Sequence, residues 1–292
     1  VKLILAQPSN LRFQWELEVL IANVRQFTDM PIVLLFSKPH DYKDTVPSYL
    51  ANKYSNVQCF VYSDNRFDKS YIPSIRPYLW WQYLKHDKSR EQETYFYIDS
   101  DVIFKEWPDF SFVKSTGDIW YGSDCSNYLD YNYLYKVEQG EKIIRGMAQI
   151  CHIAPLEMQR IKGIGAQMVI VNPTAQFWEK AYTRSSIVWH FLDGVKSNVQ
   201  KWTAEMWAQL WTMVEDGIVV EAPKELDFCW STDPLKRWDE TKILHNSGVM
   251  EQGKLFFKGK YTDHVPFGED FSWVDQTKCS RKYVDAIERV IN

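Results

Sequence analysis

Four short apolar runs, Leu3–Ala6, Ile32–Phe36, Val57–Tyr62 and Tyr95–Ile98, are separated by stretches whose apolar residues recur at helical spacing. Each run has the length and composition of a buried strand. Phe13, Leu17, Leu20, Ile21 and Val24 after the first run, and Tyr78, Leu79, Trp81 and Leu84 within Ile75–Lys85 before the last, keep the period of an amphipathic helix. This alternation leaves few folds open. Parallel strands need helical crossovers, the helices cover the sheet, and the ligand crevice opens at the carboxyl ends of the strands. The expected class is α/β, with a mostly parallel central sheet flanked by helices.

The second half is less regular. Ala166–Val171 reads as another buried strand, with helices over about Thr174–Leu192 and Thr203–Val214. From Val219 to Gly268, short apolar runs are broken by Pro223, Asp233-Pro234, Gly248, Gly253, Gly259 and Pro266, the pattern of loops and short strands wrapping a site. Ser280–Ile291 closes the chain as an amphipathic helix. Without internal repeats or a Pro/Ser-rich linker, one domain over 1–292 with an elaborated C-terminal half is expected.

With 292 residues, 45% hydrophobic and 25% charged, the chain can bury a large core, and disorder is set aside. Its 34 Lys and Arg against 38 Asp and Glu give a net charge of -4, whereas a generic polyanion binder would be basic. No apolar stretch of about 18 residues predicts a membrane span. Val1–Pro8 lacks the features of a secretory signal, and a start at Val rather than Met predicts a trimmed chain. Cys59, Cys125, Cys151, Cys229 and Cys279 are scattered, odd in number and without a CxxC pair, so reduced thiols in a cytoplasmic protein are expected. The 13 Trp, 17 Tyr and 16 Phe are an excess that suits stacking on sugars or bases, with roughly three in four expected in the core.

The sharpest motif follows the fourth apolar run: Tyr95-Phe96-Tyr97-Ile98-Asp99-Ser100-Asp101. Two carboxylates one residue apart at a strand end can face a divalent cation, with Mg2+ or Mn2+ suited to oxygen ligands and Mn2+ favoured by an added imidazole. Such a cation would neutralise a departing diphosphate. The alternative is a pair of turn-capping aspartates around a tight bend at Ser100.

This motif resembles the Asp-x-Asp of the metal-dependent GT-A glycosyltransferases. Lys242-Ile243-Leu244-His245-Asn246-Ser247-Gly248 is similar to a late segment of retaining members such as glycogenin and bacterial lipooligosaccharide galactosyltransferases. The resemblance implies Asp99, Asp101 and His245 as metal ligands, with Gly248 admitting the phosphates. It also implies a nucleotide-sugar donor, with UDP as its nucleotide, a nucleotide-binding half over 1–104, and a sugar and acceptor half with the C-terminal helix over 105–292. Lys162–Ile170 is similar to the segment where small residues, here Gly165 and Ala166, admit the sugar and a polar one, Gln167, touches it; a glycine turn before a core strand is the alternative. Glu205 matches an acidic or amide residue that holds sugar hydroxyls from a helix start. Trp202–Trp207 with Asp227–Trp230 also faintly resembles plant peptidyl arabinosyl- and galactosyltransferases. One departure is that Gly248 is followed by Val249, Met250 and Glu251, where the retaining enzymes carry a Lys three residues on; Lys254, Lys258 or Lys260 is expected to take its place at the diphosphate.

The resemblance further places Gln7, Pro8 and Ser9 against the base and Ser100 in the donor site. Beside it, Arg76 suits a phosphate or Asp101, with an exposed ion pair as the alternative, and Asp124 lies in a polar loop suited to the sugar or acceptor. Tyr128, Tyr131, Tyr133 and Tyr135 form a ring cluster suited to an acceptor, with partial burial as the alternative. Retention would proceed by same-face attack guided by the leaving diphosphate, since no carboxylate is placed as a covalent nucleophile; inversion would make Glu205 the general base. The expected function is therefore metal-dependent, retaining hexosyl or pentosyl transfer. The acceptor hydroxyl is open among a glycan, a protein, a small molecule and a hydroxymethylated base of phage-type DNA. A sugar nucleotidyltransferase is the rival enzyme, but Gln7-Pro8-Ser9-Asn10 has no glycine to cradle a triphosphate. A noncatalytic carbohydrate- or nucleotide-binding module is the rival without chemistry.

Overall fold

A computed structural model describes residues 1–39, 45–114, 119–251 and 253–290. Its strands are β1 (Lys2–Pro8), β2 (Ile32–Lys38), β3 (Val57–Ser63), β4 (Thr94–Tyr97), β5 (Val102–Phe104), β6 (Ile119–Asp124), β7 (Ile164–Val171), β8 (Val219–Glu221), β9 (Phe228–Trp230) and β10 (Ile243–His245). The helices are α1 (Leu11–Val24), α2 (Val46–Lys53), α3 (Ile75–His86), α4 (Tyr131–Lys136), α5 (Gly140–Cys151), α6 (Pro155–Met158), α7 (Ala175–Asp193), α8 (Ala204–Glu215), α9 (Lys236–Glu240) and α10 (Ser280–Arg289).

Among the described residues the strands form a seven-stranded sheet, in the order β3-β2-β1-β4-β7-β6-β8, and a three-stranded sheet, β5-β10-β9. β1 to β4 are mutually parallel. β7 is antiparallel to both neighbours, so the sheet is mostly parallel, as the alternation predicts. After β3 the chain returns to β4, on the other side of β1 from β2, through α3, which packs on β1 and β2. In turn α3 packs on α7, and α7 on α8. The central β7 is buried at every position, which explains why its sequence reads as an unbroken apolar run apart from Gln167.

Local chemistry sets the helix starts. Asn10 caps α1 by accepting from the Phe13 amide at 3.2 Å, and Thr174 caps α7 by accepting from Phe177 at 3.1 Å. The expected helix over Ser280–Ile291 is present as α10; its proposed last residue lies outside the described residues.

The main core fills the sheet and the α3–α7–α8 layer. Its centre is aromatic: Trp80 stacks on Trp178 with ring centroids 4.8 Å apart and planes 8° apart, and Trp120 lies against the far face of the pair. A second core joins Trp15 of α1 to Leu244, Phe256, Tyr261 and Tyr283, fixing the C-terminal segment under the small sheet. Trp15 Nε1 donates to the Tyr261 carbonyl at 2.9 Å. Most of the excess rings are thus structural.

Candidate functional site

Asp99, Ser100 and Asp101 form the turn between β4 and β5, at the carboxyl end of the parallel strands. His245 is the last residue of β10, and the antiparallel register sets it opposite Val102 of β5. The Asn246 amide then donates to the Asp101 carbonyl at 2.8 Å. Strand pairing therefore brings the imidazole to the aspartates. His245 Nε2 lies 3.5 Å from Asp99 Oδ2 and 3.3 Å from Asp101 Oδ1, and one donor atom from each residue falls within 4.8 Å of the others. An ion about 2.1 Å from each donor would hold adjacent donors about 3 Å apart, so two carboxylates and one imidazole fit Mn2+ or Mg2+ here. Among the described residues this is the one such cluster of His, Cys, Asp and Glu.

Charge is concentrated at Asp101. Burial opposes its ionisation, but the charges of Lys258 and His245 hold its carboxyl well below the usual range. Burial also opposes a charge on His245, yet Asp101 and Asp99 raise its imidazole above the ordinary value. Lys258 reaches in to pair with Asp101 Oδ2. Trp230 covers the imidazole, its ring 5.5 Å away and tilted by 28°.

Two further ionic groups border the aspartates. Ser100 Oγ donates to Glu16 Oε2 at 2.5 Å, and Arg12 Nε donates to Glu16 Oε1 at 2.8 Å. On the other side, Tyr97 Oη donates to Asp99 Oδ1 at 2.6 Å. Arg76 lies over the Tyr97 ring and ion-pairs with Glu205 in the first turn of α8. Burial pushes the Glu205 carboxyl up to about 7 against the pull of Arg76, with the charge of Asp99 adding to the rise.

These groups line a cleft of about 500 Å³. Of the residues singled out from the sequence, Gln7, Arg76, Asp99, Ser100, Asp101, Tyr128, Ala166, Glu205, His245, Gly248 and Lys258 line it. Gly248 has φ +75°, a conformation that favours glycine, and the space where a Cβ would stand is open. Pro8 lines an adjoining groove of about 550 Å³ that also takes in Asn10 and Ile72 and shares Arg12, Arg76 and Asp99 with the cleft. Ser9 is buried and lines neither cavity, and its hydroxyl has no protein partner.

Other candidates stand apart. Asp124 pairs with Lys162 at 2.8 Å away from the cleft. Lys254 does not line the cleft either; its carbonyl accepts from Asp275. Gly165 leaves room for Met206, whose Cε would come within 2.4 Å of a Cβ there. Gln167 is wholly buried behind the wall, with Nε2 placed 3.4 Å from His245 Nδ1.

The sequence reasoning missed Arg12, Glu16, Trp202 and Trp230 as lining residues. Glu16 carried a signal: it interrupts an apolar face between Trp15 and Leu17, and an acid there is buried only with partners. No helix among the described residues is long and apolar enough to cross a membrane.

No protein-family model matches the chain, and no curated protein sequence matches it. Solved structures do. The apo structure of the bifunctional glycosyltransferase WbbM matches with a TM-score of 0.50 and 10% identity over 99% of this chain and 49% of that one. The chain thus spans about half the length of WbbM. The galactosyltransferase LgtC, in complex with donor and acceptor sugar analogues, matches with a TM-score of 0.50 and 12% identity over 100% of this chain and 97% of LgtC. At such identities the likeness is one of fold.

Proposed function

For a chain with the fold of the GT-A glycosyltransferases, we propose metal-dependent transfer of a sugar from a nucleoside diphosphate donor, UDP being the expected nucleotide, to a hydroxyl acceptor. The observation that carries this reading is the convergence of Asp99, Asp101 and His245 in a cleft at the carboxyl ends of β1 and β4. When bound there, Mn2+ or Mg2+ supplies positive charge to the diphosphate. LgtC holds donor and acceptor sugar analogues on the same fold, which supports one cleft for both substrates.

Pro8 and Asn10 line the groove assigned to the nucleoside, Gln7 lines the adjoining cleft, and Ser9, between Pro8 and Asn10 in the chain, is the third residue assigned to the base. Lys258 and Arg12 bring cations to the phosphates, and Gly248 lets backbone approach them. Ala166 and Glu205 face the sugar. Glu205, fixed by Arg76, serves as a hydrogen-bonding group for sugar hydroxyls, so transfer is read as retaining. The acceptor oxygen attacks the anomeric carbon on the face the diphosphate leaves, the carbon–phosphate oxygen bond breaks, and the acceptor proton passes to the departing phosphate oxygen. Residues 1–104 and 105–292 then act as the nucleotide and sugar halves of one catalytic domain. The five cysteines are free thiols, which supports a cytoplasmic location.

The test is donor hydrolysis across a panel of nucleotide sugars with Mn2+, Mg2+ or EDTA, beside Asp101→Asn. Metal-dependent release of nucleotide from one donor, lost in the variant, is the expected result. No release, together with no donor binding by calorimetry, overturns the proposal.

A further inference from the structure

We infer that Gln167 is a positioning residue whose side-chain oxygen accepts a proton from His245 Nδ1, turning the Nε2 lone pair toward Asp99 and Asp101. The inference rests on the metal reading above and deepens it. Its basis is a count of hydrogens in a closed chain of buried groups.

Ser123 Oγ lies 2.6 Å from the Leu226 carbonyl and 2.7 Å from Gln167 Oε1, while Gln167 Nε2 lies 3.4 Å from His245 Nδ1. With the amide facing this way, one hydroxyl proton confronts two oxygen acceptors, and only one can be served. Turning the amide over exchanges its oxygen and nitrogen and gives each of these three contacts one donor and one acceptor. The Gln167 NH2 then donates to Ser123, Ser123 donates to Leu226, and Gln167 Oε1 accepts from Nδ1–H. Because Ser123 and Gln167 are each 0% exposed, water does not relieve the first arrangement.

The consequence falls on the other ring nitrogen. A neutral imidazole with its proton on Nδ1 presents a bare lone pair at Nε2, facing two carboxylates 3.5 and 3.3 Å away. Three electron-rich donors aimed at one another are held together by a proton on Nε2 or, in its place, by a metal cation. An acceptor fixed at Nδ1 favours the second by keeping Nε2 as the ligating nitrogen. The backbone is shaped for this aim. Between the pairs Gly122–Met168 and Ser123–Gly165 the register of β7 breaks, Ala166 takes a φ of +52°, and Gln167 sits in the resulting bulge. A non-glycine residue in that conformation at a strand centre is strained backbone held in place by its surroundings.

The test is titration of wild type, Gln167→Leu and Gln167→Glu with Mn2+ alone, read as free Mn2+ by electron paramagnetic resonance, with 15N histidine spectra of the Cd2+-loaded wild type. Gln167→Leu, which leaves Nδ1–H without an acceptor, is expected to weaken Mn2+ by about 10–100-fold. Gln167→Glu, which keeps the acceptor, should bind at least as tightly as wild type. The spectra should place cadmium on Nε2 and the proton on Nδ1. Equal Mn2+ affinity in wild type and Gln167→Leu, equal loss in both variants, or cadmium on Nδ1 overturns the inference while leaving the metal site intact. Absence of Mn2+ binding to wild type overturns the metal reading and the inference with it.

Discussion

Lys258 and His245 hold opposite oxygens of one carboxylate: the lysine is ion-paired to Oδ2 of Asp101, and the imidazole Nε2 lies 3.3 Å from Oδ1. The ammonium thus offsets part of the negative charge that a metal ion would meet. Lys258→Met should therefore tighten binding of Mn2+ alone by several-fold. The same substitution removes a cation from the proposed diphosphate site, so UDP binding in saturating Mn2+ should weaken about tenfold. Calorimetric titrations of metal and of nucleotide check the two signs, and movement of both in one direction would contradict this role.

Trp202 lines both the cleft and the adjoining groove and remains 56% exposed, touching Tyr71 and Trp189 only edge-on. A large exposed ring at the mouth of the proposed sugar site suits stacking on the acceptor. Trp202→Ala should raise the acceptor KM about tenfold, keep kcat within a few-fold, and change folding stability by less than about 1 kcal/mol. Steady-state kinetics and a thermal melt read these separately.

Glu215 clamps α8 to α7, with Oε2 2.8 Å from both Lys180 Nζ and Arg184 Nη1. The Arg184 hydrogen bond, against a burial penalty and with help from Lys180, brings its carboxyl down to about 2. A carboxyl depressed in this way binds fewer protons folded than unfolded, so its stabilisation is complete above about pH 4.5 and is lost as pH falls toward 2. Glu215→Gln should cost about 1–2 kcal/mol at pH 7, allowing for the solvent that reaches the pair. Urea unfolding as a function of pH should show the gap to wild type closing across that acid window.

The stacked indoles of Trp80 and Trp178 make a different claim on stability. Trp178 is 1% exposed, and truncation would leave a cavity walled by Trp80, Trp120 and Phe177. Trp178→Ala should destabilise the fold by about 3–5 kcal/mol and alter the near-ultraviolet dichroism of the paired rings. A loss under about 1 kcal/mol in denaturant would remove this stack from the stabilising core.

The first four strands and the helices α1 and α3 were legible because each carries its own period: β2 is buried at Ile32–Ser37, and Asn10 caps α1, whereas the short α2 over Val46–Lys53 was not read. Asp99, Asp101 and His245 were legible by resemblance, and the structure brings them together. The antiparallel direction of β7 was not legible, because pairing with β4 and β6 is decided by distant chain. Nor could β5, β9 and β10 be read as one sheet, since three residues are too few to show a period. Lys254, Lys258 and Lys260 share one loop and one chemistry; what separates them is that Lys258 alone is ion-paired to Asp101, a matter of how the loop packs around Phe256 and Tyr261. Glu205 was singled out by resemblance, as an acid at a helix start, and it lines the cleft, but its partner Arg76 lies in a different helix, and no local pattern joins them.

The pairing of β5 with β10 has a consequence for how such a protein can diversify. The chain leaves the aspartates at Val102 and returns at His245, and between those points it builds β6 to β9, α4 to α9 and several loops. Because the three polar groups are spaced by hydrogen bonds between two short strands, lengthening or replacing outlying loops of the excursion alters what approaches the cleft without re-spacing the groups at its floor. A shift of one residue in that ladder would do the opposite, presenting Leu244 or Asn246 where His245 now stands. Variation of the intervening loops is thus free to change what reaches the cleft, while a single rung of sheet carries the constraint against drift.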